Sequence, residues 1–234
     1  MFRFLTAGES HGEQLTAIIE GLPAGLTLRP GDLKRDLARR QGGYGRGGRQ
    51  QIEHDESRIV SGVRHGRTLG SPVTLVVANR DWVNWEQIMS VEGEGETLKR
   101  LTRLRPGHAD LVGAMKYGHD DLRNVLERAS ARATAARVAV GGVARRLLSA
   151  FDVAVHSHTL NIGGIETAPL PCTEEALLAV DWEAVERSPV RCRDDAAAAQ
   201  MMALIDRAKA EGDTLGGVFA VIALGVVPGL GSYV

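Results

Sequence analysis

Cysteine is nearly absent. Cys172 and Cys192 are the only two in 234 residues, and no Cys-x-x-Cys occurs. That excludes a disulfide framework and a zinc-ribbon or thiol-redox motif. The pair reads as small, semi-buried side chains in a reducing compartment. Charge imbalance is missing too: 28 Lys and Arg stand against 29 Asp and Glu, a net charge of −1. A dedicated nucleic-acid binder is usually strongly basic, so this class is disfavoured. Aromatics are only 4% of the chain, which leaves the core to Ala, Val, Leu and Ile. The longest apolar run, "LGGVFAVIALGVVPGLG" (215–231), is broken by glycines and a proline. It is shorter than the roughly 20 residues that span a bilayer, and it reads as one or two buried strands. The first residues, "MFRFLTAGESHG", lack the basic and apolar regions of a signal peptide. A soluble cytoplasmic protein is expected.

What is present is glycine, at 28 residues, and a hydrophobic fraction of 44%, enough for a sizeable globular core. "QLTAIIEGLPAGL" (14–26) predicts a strand ending in a Pro-Ala-Gly turn. "RPGDLKRDLARRQ" (29–41) predicts a helix with Asp32 as N-cap, stopped by Gly42 and Gly43. Residues 58–63 and 72–78 predict an antiparallel hairpin, while 80–105 read as a polar, irregular loop that suits a lid. A short helix is expected over 108–121, a long continuous one over 124–151, a strand over 152–165 and a helix over 194–213. "IEGLPAGL" (19–26) and "ALGVVPGL" (223–230) echo one another weakly. Strands lead into hairpins as often as into helices, which favours α+β with antiparallel sheets.

Four segments have side chains suited to chemistry. "RRQGGYGRGGRQ" (39–50) sets Arg39, Arg40, Arg46 and Arg49 among five glycines. Guanidinium groups hold phosphate and carboxylate bidentately, and glycines let the backbone approach and donate its N–H groups. A small polyanion suits this loop; a solvated flexible loop and an RGG-like RNA segment are the alternatives. "AGESHG" (7–12) invites a hydrolase reading at Ser10. Neighbouring side chains on an extended chain point apart, however, and Gly-x-Ser-x-Gly is missing. His11 as a lone general acid fits better, since imidazole changes charge near neutral pH. In "RLRPGHAD" (103–110), Arg105 and His108 lie in a Pro-Gly turn before a predicted helix, where anions collect. In "ERASARATAAR" (127–137), Arg128 and Arg132 are predicted to share one helix face, with Glu127 as a neighbouring acid. The histidines show no metal-ligand spacing, and "HSH" (156–158) places two on one face of a strand.

Taken together, "AGESHG", "RRQGGYGRGGR" and "RPGHADLVGAMKYGHDDLRNVLERASARATAARVAVG" resemble the chorismate synthase family, in this order and along the whole chain. The resemblance implies a β-α-β sandwich with antiparallel sheets around central helices, as one domain over 1–234. It implies the 1,4-anti elimination of phosphate from 5-enolpyruvylshikimate-3-phosphate to chorismate, the last step of the shikimate pathway. Reduced FMN is then required, NADPH is a possible reductant, and a homotetramer is expected, with no nucleic-acid or membrane partner. By resemblance His11 and His108 are the two general acids. Arg40, Arg46, Arg49 and Arg105 would meet phosphate, carboxylate or NADP groups, and Arg128, Ala129, Ser130 and Arg132 would contact FMN. No metal is implied. The chain stops at "VPGLGSYV", where family members continue into further flavin contacts and an Arg-His-Asp motif. The sequence therefore reads as truncated at the C-terminus; were it complete, it is expected to bind FMN poorly and to turn over slowly or not at all. A non-catalytic anion- or RNA-binding module is the alternative.

Overall fold

The computed structural model describes residues 1–46, 54–92 and 99–231. It is α+β, with antiparallel sheets. The chain divides into two compact units: Met1–Gln41 with Arg49–Arg146, and Gly42–Gly48 with Leu147–Val234.

In the first unit, β1 (Arg3–Ala7), β2 (Gln14–Glu20), β3 (Ser57–Ser61) and β6 (Val73–Ala78) form one antiparallel sheet in the order β1-β2-β6-β3. The register pairs Leu15 with Val77, Ala17 with Leu75 and Ile19 with Val73. These six side chains are buried, so the period of two along β2 and β6 supplies one face of the core. The predicted hairpin of 58–63 and 72–78 is found as the β3–β6 pair. Its link carries a small ribbon, β4 (Val63–Arg64) with β5 (Arg67–Thr68).

Helix α1 (Pro30–Gln41) lies where the sequence predicts it, with Leu33 and Leu37 buried. Asp32 is not its N-cap. Proline pre-sets the first helical position, so the helix begins at Pro30, and the Asp32 carboxylate reaches back to accept from Arg29 N at 2.7 Å. The stretch after residue 80 is less irregular than expected. A 3₁₀ turn (Trp82–Asn84) and α2 (Glu86–Met89) occupy it, with Asp81 accepting from Asn84 Nδ2 and Trp85 Nε1.

Helix α3 (Asp110–Tyr117) is the expected short helix and ends on left-handed Gly118. The long continuous helix predicted over 124–151 is broken. Helix α4 (Arg123–Arg128) stops, a 3₁₀ turn (Ala131–Ala133) follows, and α5 (Thr134–Ser149) resumes. Ser130 is the cause: its backbone is extended, and its hydroxyl accepts from Arg132 N at 3.2 Å, capping the new turn. Arg128 and Arg132 therefore do not share a helix face.

Buried Asp55 fastens this region. It accepts from Arg40 Nη1 at 2.8 Å and from Arg132 Nη1, while its own N–H donates to Gln41 Oε1. The end of α1 is thereby tied to the turn before α5.

In the second unit, β7 (Ala154–Ile162) lies between β8 (Ile165–Glu166) and β9 (Gly217–Leu224). Helices α6 (Glu174–Leu178), α7 (Trp182–Arg187) and α8 (Asp195–Glu211) complete it. Val190, Cys192, Ala197, Ala198 and Met201 form a core against which Ile162, Ile165, Met202 and Ile205 pack. Asp194 caps α8 through Ala197 N, and Gly212 ends it. Cys192 is buried, but Cys172 is exposed, against expectation; both are free thiols.

The predicted "buried" strand of 215–231 is also corrected. It forms β9 alone, at the sheet edge, and Val218, Phe219 and Val221 are exposed. Of the two histidines in "HSH", His156 stacks on Trp182 and His158 is fully buried between Arg191 O and Thr167 Oγ1. Among the described residues no cluster of His, Cys, Asp or Glu could hold a metal, and no helix is long and apolar enough to cross a membrane.

Two stability predictions follow from this packing. A Cβ on Gly113 would overlap Val125 of α4, whereas one on Gly141 of α5 meets nothing within 4 Å. Gly113→Ala is expected to cost about 1–3 kcal/mol and Gly141→Ala to add about 0.5–1 kcal/mol; a urea midpoint raised in the first or lowered in the second would contradict the corresponding prediction. Asp55→Ala leaves two guanidinium groups without their shared carboxylate and is expected to cost about 3–5 kcal/mol. A midpoint within error of the parent would contradict that.

Candidate functional site

The site is built on the turn that connects β1 to β2. Gly12 N–H donates back to Glu9 O, closing the turn. Gly8 has a φ of 105°, and a Cβ there would run into Gln14 O, so the tight approach of the two strand ends requires glycine. Asn79, at the end of β6, clamps the turn from beneath. Its Nδ2 donates to Glu9 O and Gly12 O, and its Oδ1 accepts from Arg132 Nε at 2.9 Å.

His11 projects from this turn onto α4. Its backbone N–H donates to Glu127 Oε2 at 2.9 Å, and its Nδ1 lies 2.9 and 2.8 Å from the two carboxylate oxygens. Arg123, one turn earlier on α4, donates to Glu127 Oε1 at 3.0 Å. Trp85 stacks on the imidazole, with ring centroids 3.8 Å apart. The Lys99 ammonium lies 4.2 Å from the same indole's centroid, and the Arg123 guanidinium 5.2 Å. Ser10 is buried at 1% exposure, with its N–H on Glu127 O. A nucleophile must reach its substrate, so this burial removes the hydrolase reading.

Arg128 extends from the end of α4 to the same turn. Its guanidinium is bonded to Thr6 O, Thr6 Oγ1 and Gly8 O. His11 and Arg128 are thus brought to one turn, with the half-buried Ala129 and Ser130 following Arg128 in the helix break. Arg132 goes elsewhere: it is buried, and its guanidinium meets Asp55, Asn79 and Ala78 O. Arg40 joins it on Asp55 and also donates to Thr134 Oγ1 and Ala131 O.

Arg105 and His108 form a second cluster. Arg105 grips Asp110 with Nε at 2.9 Å and Nη2 at 2.7 Å, and its backbone N–H donates to the same carboxylate. His108 is exposed just before α3, and its N–H donates to Arg105 O. This segment is tied to α4 through Leu101, whose N–H donates to Asp121 and whose carbonyl accepts from Leu122 N. Arg46 belongs to the other unit, and Arg49 lies outside the described residues.

The electrostatics follow from these partners. Burial pushes the Glu127 carboxyl up, but its bonds to His11 and Arg123 outweigh that and hold it below the usual range. The hydrogen bond from Arg105 leads in holding Asp110 down, against burial, from 3.8 to about 2. Arg105 is in turn held protonated, first by its bond to Asp110 and also by the charge of Glu127, so the two clusters share one field. Both carboxylates have lowered folded values. Each therefore contributes stability above its unfolded value, lost as pH falls through the folded one.

Sequence reasoning missed Asp55, Asn79, Trp85 and Arg123, and saw Glu127 only as a neighbouring acid. The Arg123–Glu127 spacing of four was the one local signal.

The comparisons with known proteins agree with one another. The chorismate synthase family model matches residues 2–234. A chorismate synthase of Enterococcus faecalis is 58% identical over 99% of this chain and 60% of its own length. One of Listeria monocytogenes is 54% identical with the same coverage. A crystal structure of chorismate synthase superposes with a TM-score of 0.75 at 42% identity, covering 95% of this chain and 58% of that one. The chain thus spans about 60% of the length of the curated relatives it matches. With a family match along virtually the whole sequence, and more than half of it identical to these relatives, the chain belongs to the chorismate synthase family.

Proposed function

We propose that the protein acts in chorismate synthesis, eliminating phosphate from 5-enolpyruvylshikimate-3-phosphate to give chorismate, with reduced FMN. The observation that supports this best is the turn carrying His11. There an imidazole is held on a buried carboxylate and an indole face, one helix end away from the exposed Arg128.

The chemistry asks for such groups. An allylic C–O bond to phosphate breaks readily only when the departing oxygen is protonated or its charge is met. In this reading His11 gives the proton, and the cations of both clusters attract a substrate with a phosphate and two carboxylates. His108, exposed before α3, is the second acid. Arg46 and Arg49 remain candidate anion ligands, as does Arg40, although its donors are engaged with Asp55, Thr134 and Ala131.

An exposed guanidinium beside the Ser130 hydroxyl fits a flavin phosphate: Arg128 stands at the helix break, although its donors also reach Thr6 and Gly8 and the Ala129 N–H closes the helix on Val125 O. Arg128, Ala129 and Ser130 would hold FMN; Arg132, buried on Asp55, would act by fixing the turn. Bound there, reduced FMN supplies electron density that weakens the C–O bond. NADPH is the proposed reductant where the flavin arrives oxidised.

Mixing the intact protein, chemically reduced FMN and substrate without oxygen is expected to release phosphate. His11→Ala is expected to lower the rate by about 10²-fold or more. A parallel run with NADPH and oxidised FMN tests self-reduction. No phosphate release, together with salt-sensitive RNA binding, would replace the lyase by the binding module.

A homotetramer is proposed as the assembly. It is supported by the exposed Leu111, Val112, Met115 and Tyr117 on α3. A light-scattering mass of one chain would overturn it.

A further inference from the structure

Glu127 is the least expected member of the site. Its side chain is 1% exposed, yet it keeps its charge by standing between an imidazole and a guanidinium. Both oxygens are used. Oε2 accepts from His11 N, Oε1 accepts from Arg123, and both face His11 Nδ1 within 2.9 Å. A carboxylate is a stronger acceptor than a neutral carbonyl, by roughly a factor of two, and here it meets ring and backbone of one residue at once. Trp85 closes the other constraint, with its indole inclined only 26° to the imidazole. The ring is thus held by one edge and one face.

We infer that Glu127 is a positioning residue for His11, holding the imidazole with a proton on Nδ1 so that the proton it gives up leaves from Nε2. The inference rests on the reading of His11 as the acid. In the step, the allylic C–O bond breaks with its electron pair going to the phosphate oxygen, while the ring C–H bond at the far end of the 1,4 arrangement gives its electron pair to the new diene and its proton to water. The Nε2 proton of the imidazolium joins that oxygen. A neutral imidazole remains, still donating Nδ1–H to Glu127. The opposite tautomer would turn the Nδ1 lone pair onto the Glu127 carboxylate, acceptor against acceptor, and the ring would lose the bond that orients it.

The charges around the ring agree with this role. Glu127 and Arg123 come from α4, Lys99 lies over Trp85, and Arg105 is held charged partly by Glu127. With His11 protonated, Glu127 cancels one of the two cations it touches, and the remainder is positive toward an arriving phosphate. Arg123 joins His11 on the Glu127 carboxylate, and its Nε is itself anchored on Lys99 O at 2.8 Å.

The test is made on the intact protein with ¹⁵N-labelled histidine. The neutral form of His11 is expected to show ¹⁵N shifts of a ring protonated at Nδ1. In Glu127→Gln, which keeps the shape, the tautomers are expected to mix. The same variant is expected to lose kcat by on the order of 10²-fold, with substrate KM within about threefold, as a positioning loss predicts. Glu127→Asp, which keeps the charge, is expected to recover part of that loss. A parent His11 protonated at Nε2 overturns the proposal whatever the variants do. So does an unchanged kcat in folded Glu127→Gln. If instead His11→Ala retains full activity, the acid assignment itself falls, which distinguishes failure of the functional reading from failure of the role given to Glu127.

Discussion

A carboxylate placed in a protein interior has to be matched by positive charge, because burial alone would drive it neutral. Asp55 and Glu127 are both buried, and each is met by two cation-capable side chains from different segments. Asp55 draws Arg40 from the end of α1 and Arg132 from the turn before α5. Glu127 draws His11 from the β1–β2 turn and Arg123 from its own helix. In the arginine pair one anion faces two fixed cations, so a positive charge is left over. The same holds at Glu127 whenever His11 is protonated. The carboxylates that make burial tolerable therefore also set the sign of the site: they tie four segments together and leave it attractive to anions.

The helix break at Ser130 makes this division possible. In an unbroken helix, residues four apart lie on one face, and Arg128 and Arg132 would crowd each other. Extending the backbone at Ser130 sends Arg128 outward to Thr6 and Gly8, and Arg132 inward to Asp55 and Asn79. A single hydroxyl cap thus separates a surface cation from a structural one.

Much of the secondary structure was legible because its signals are local. Leu33 and Leu37, four apart, mark α1, and acids at the start with Lys209 near the end mark α8. The weakness of Ser10 as a nucleophile was legible too, from the geometry of adjacent residues, and the structure buries it. What was not legible is long-range. His11 and Glu127 are 116 residues apart and Arg132 and Asp55 77 apart, and neither pair leaves a periodic trace. Trp85 lay in a stretch read as loop, so nothing announced its stacking. The break at Ser130 was hidden by alanines on both sides, which favour helix by propensity. The apolar run around β9 shows the converse error: composition reported that Val218, Phe219 and Val221 can be buried, not that a layer lies over them.

The arginine loop needs a different account from the one its composition invites. Arg40 turns inward to Asp55, and the chain leaves the first unit directly after Gln41. Tyr44 then joins the second unit, its hydroxyl donating to Asp206 at 2.6 Å and its N–H to Pro189 O. Gly43 and Gly45 have φ values of 107° and 74°, and a Cβ on Gly45 would come within 2.5 Å of Ile205. Gly45 is required by the path of the chain against α8 and Gly43 by its own positive φ, before any ligand is considered. Flexibility for a ligand is therefore not what the first glycines of this loop record. They record a crossing between two compact units, and whatever charge Arg46 offers to an anion is offered from a backbone already fastened at Tyr44.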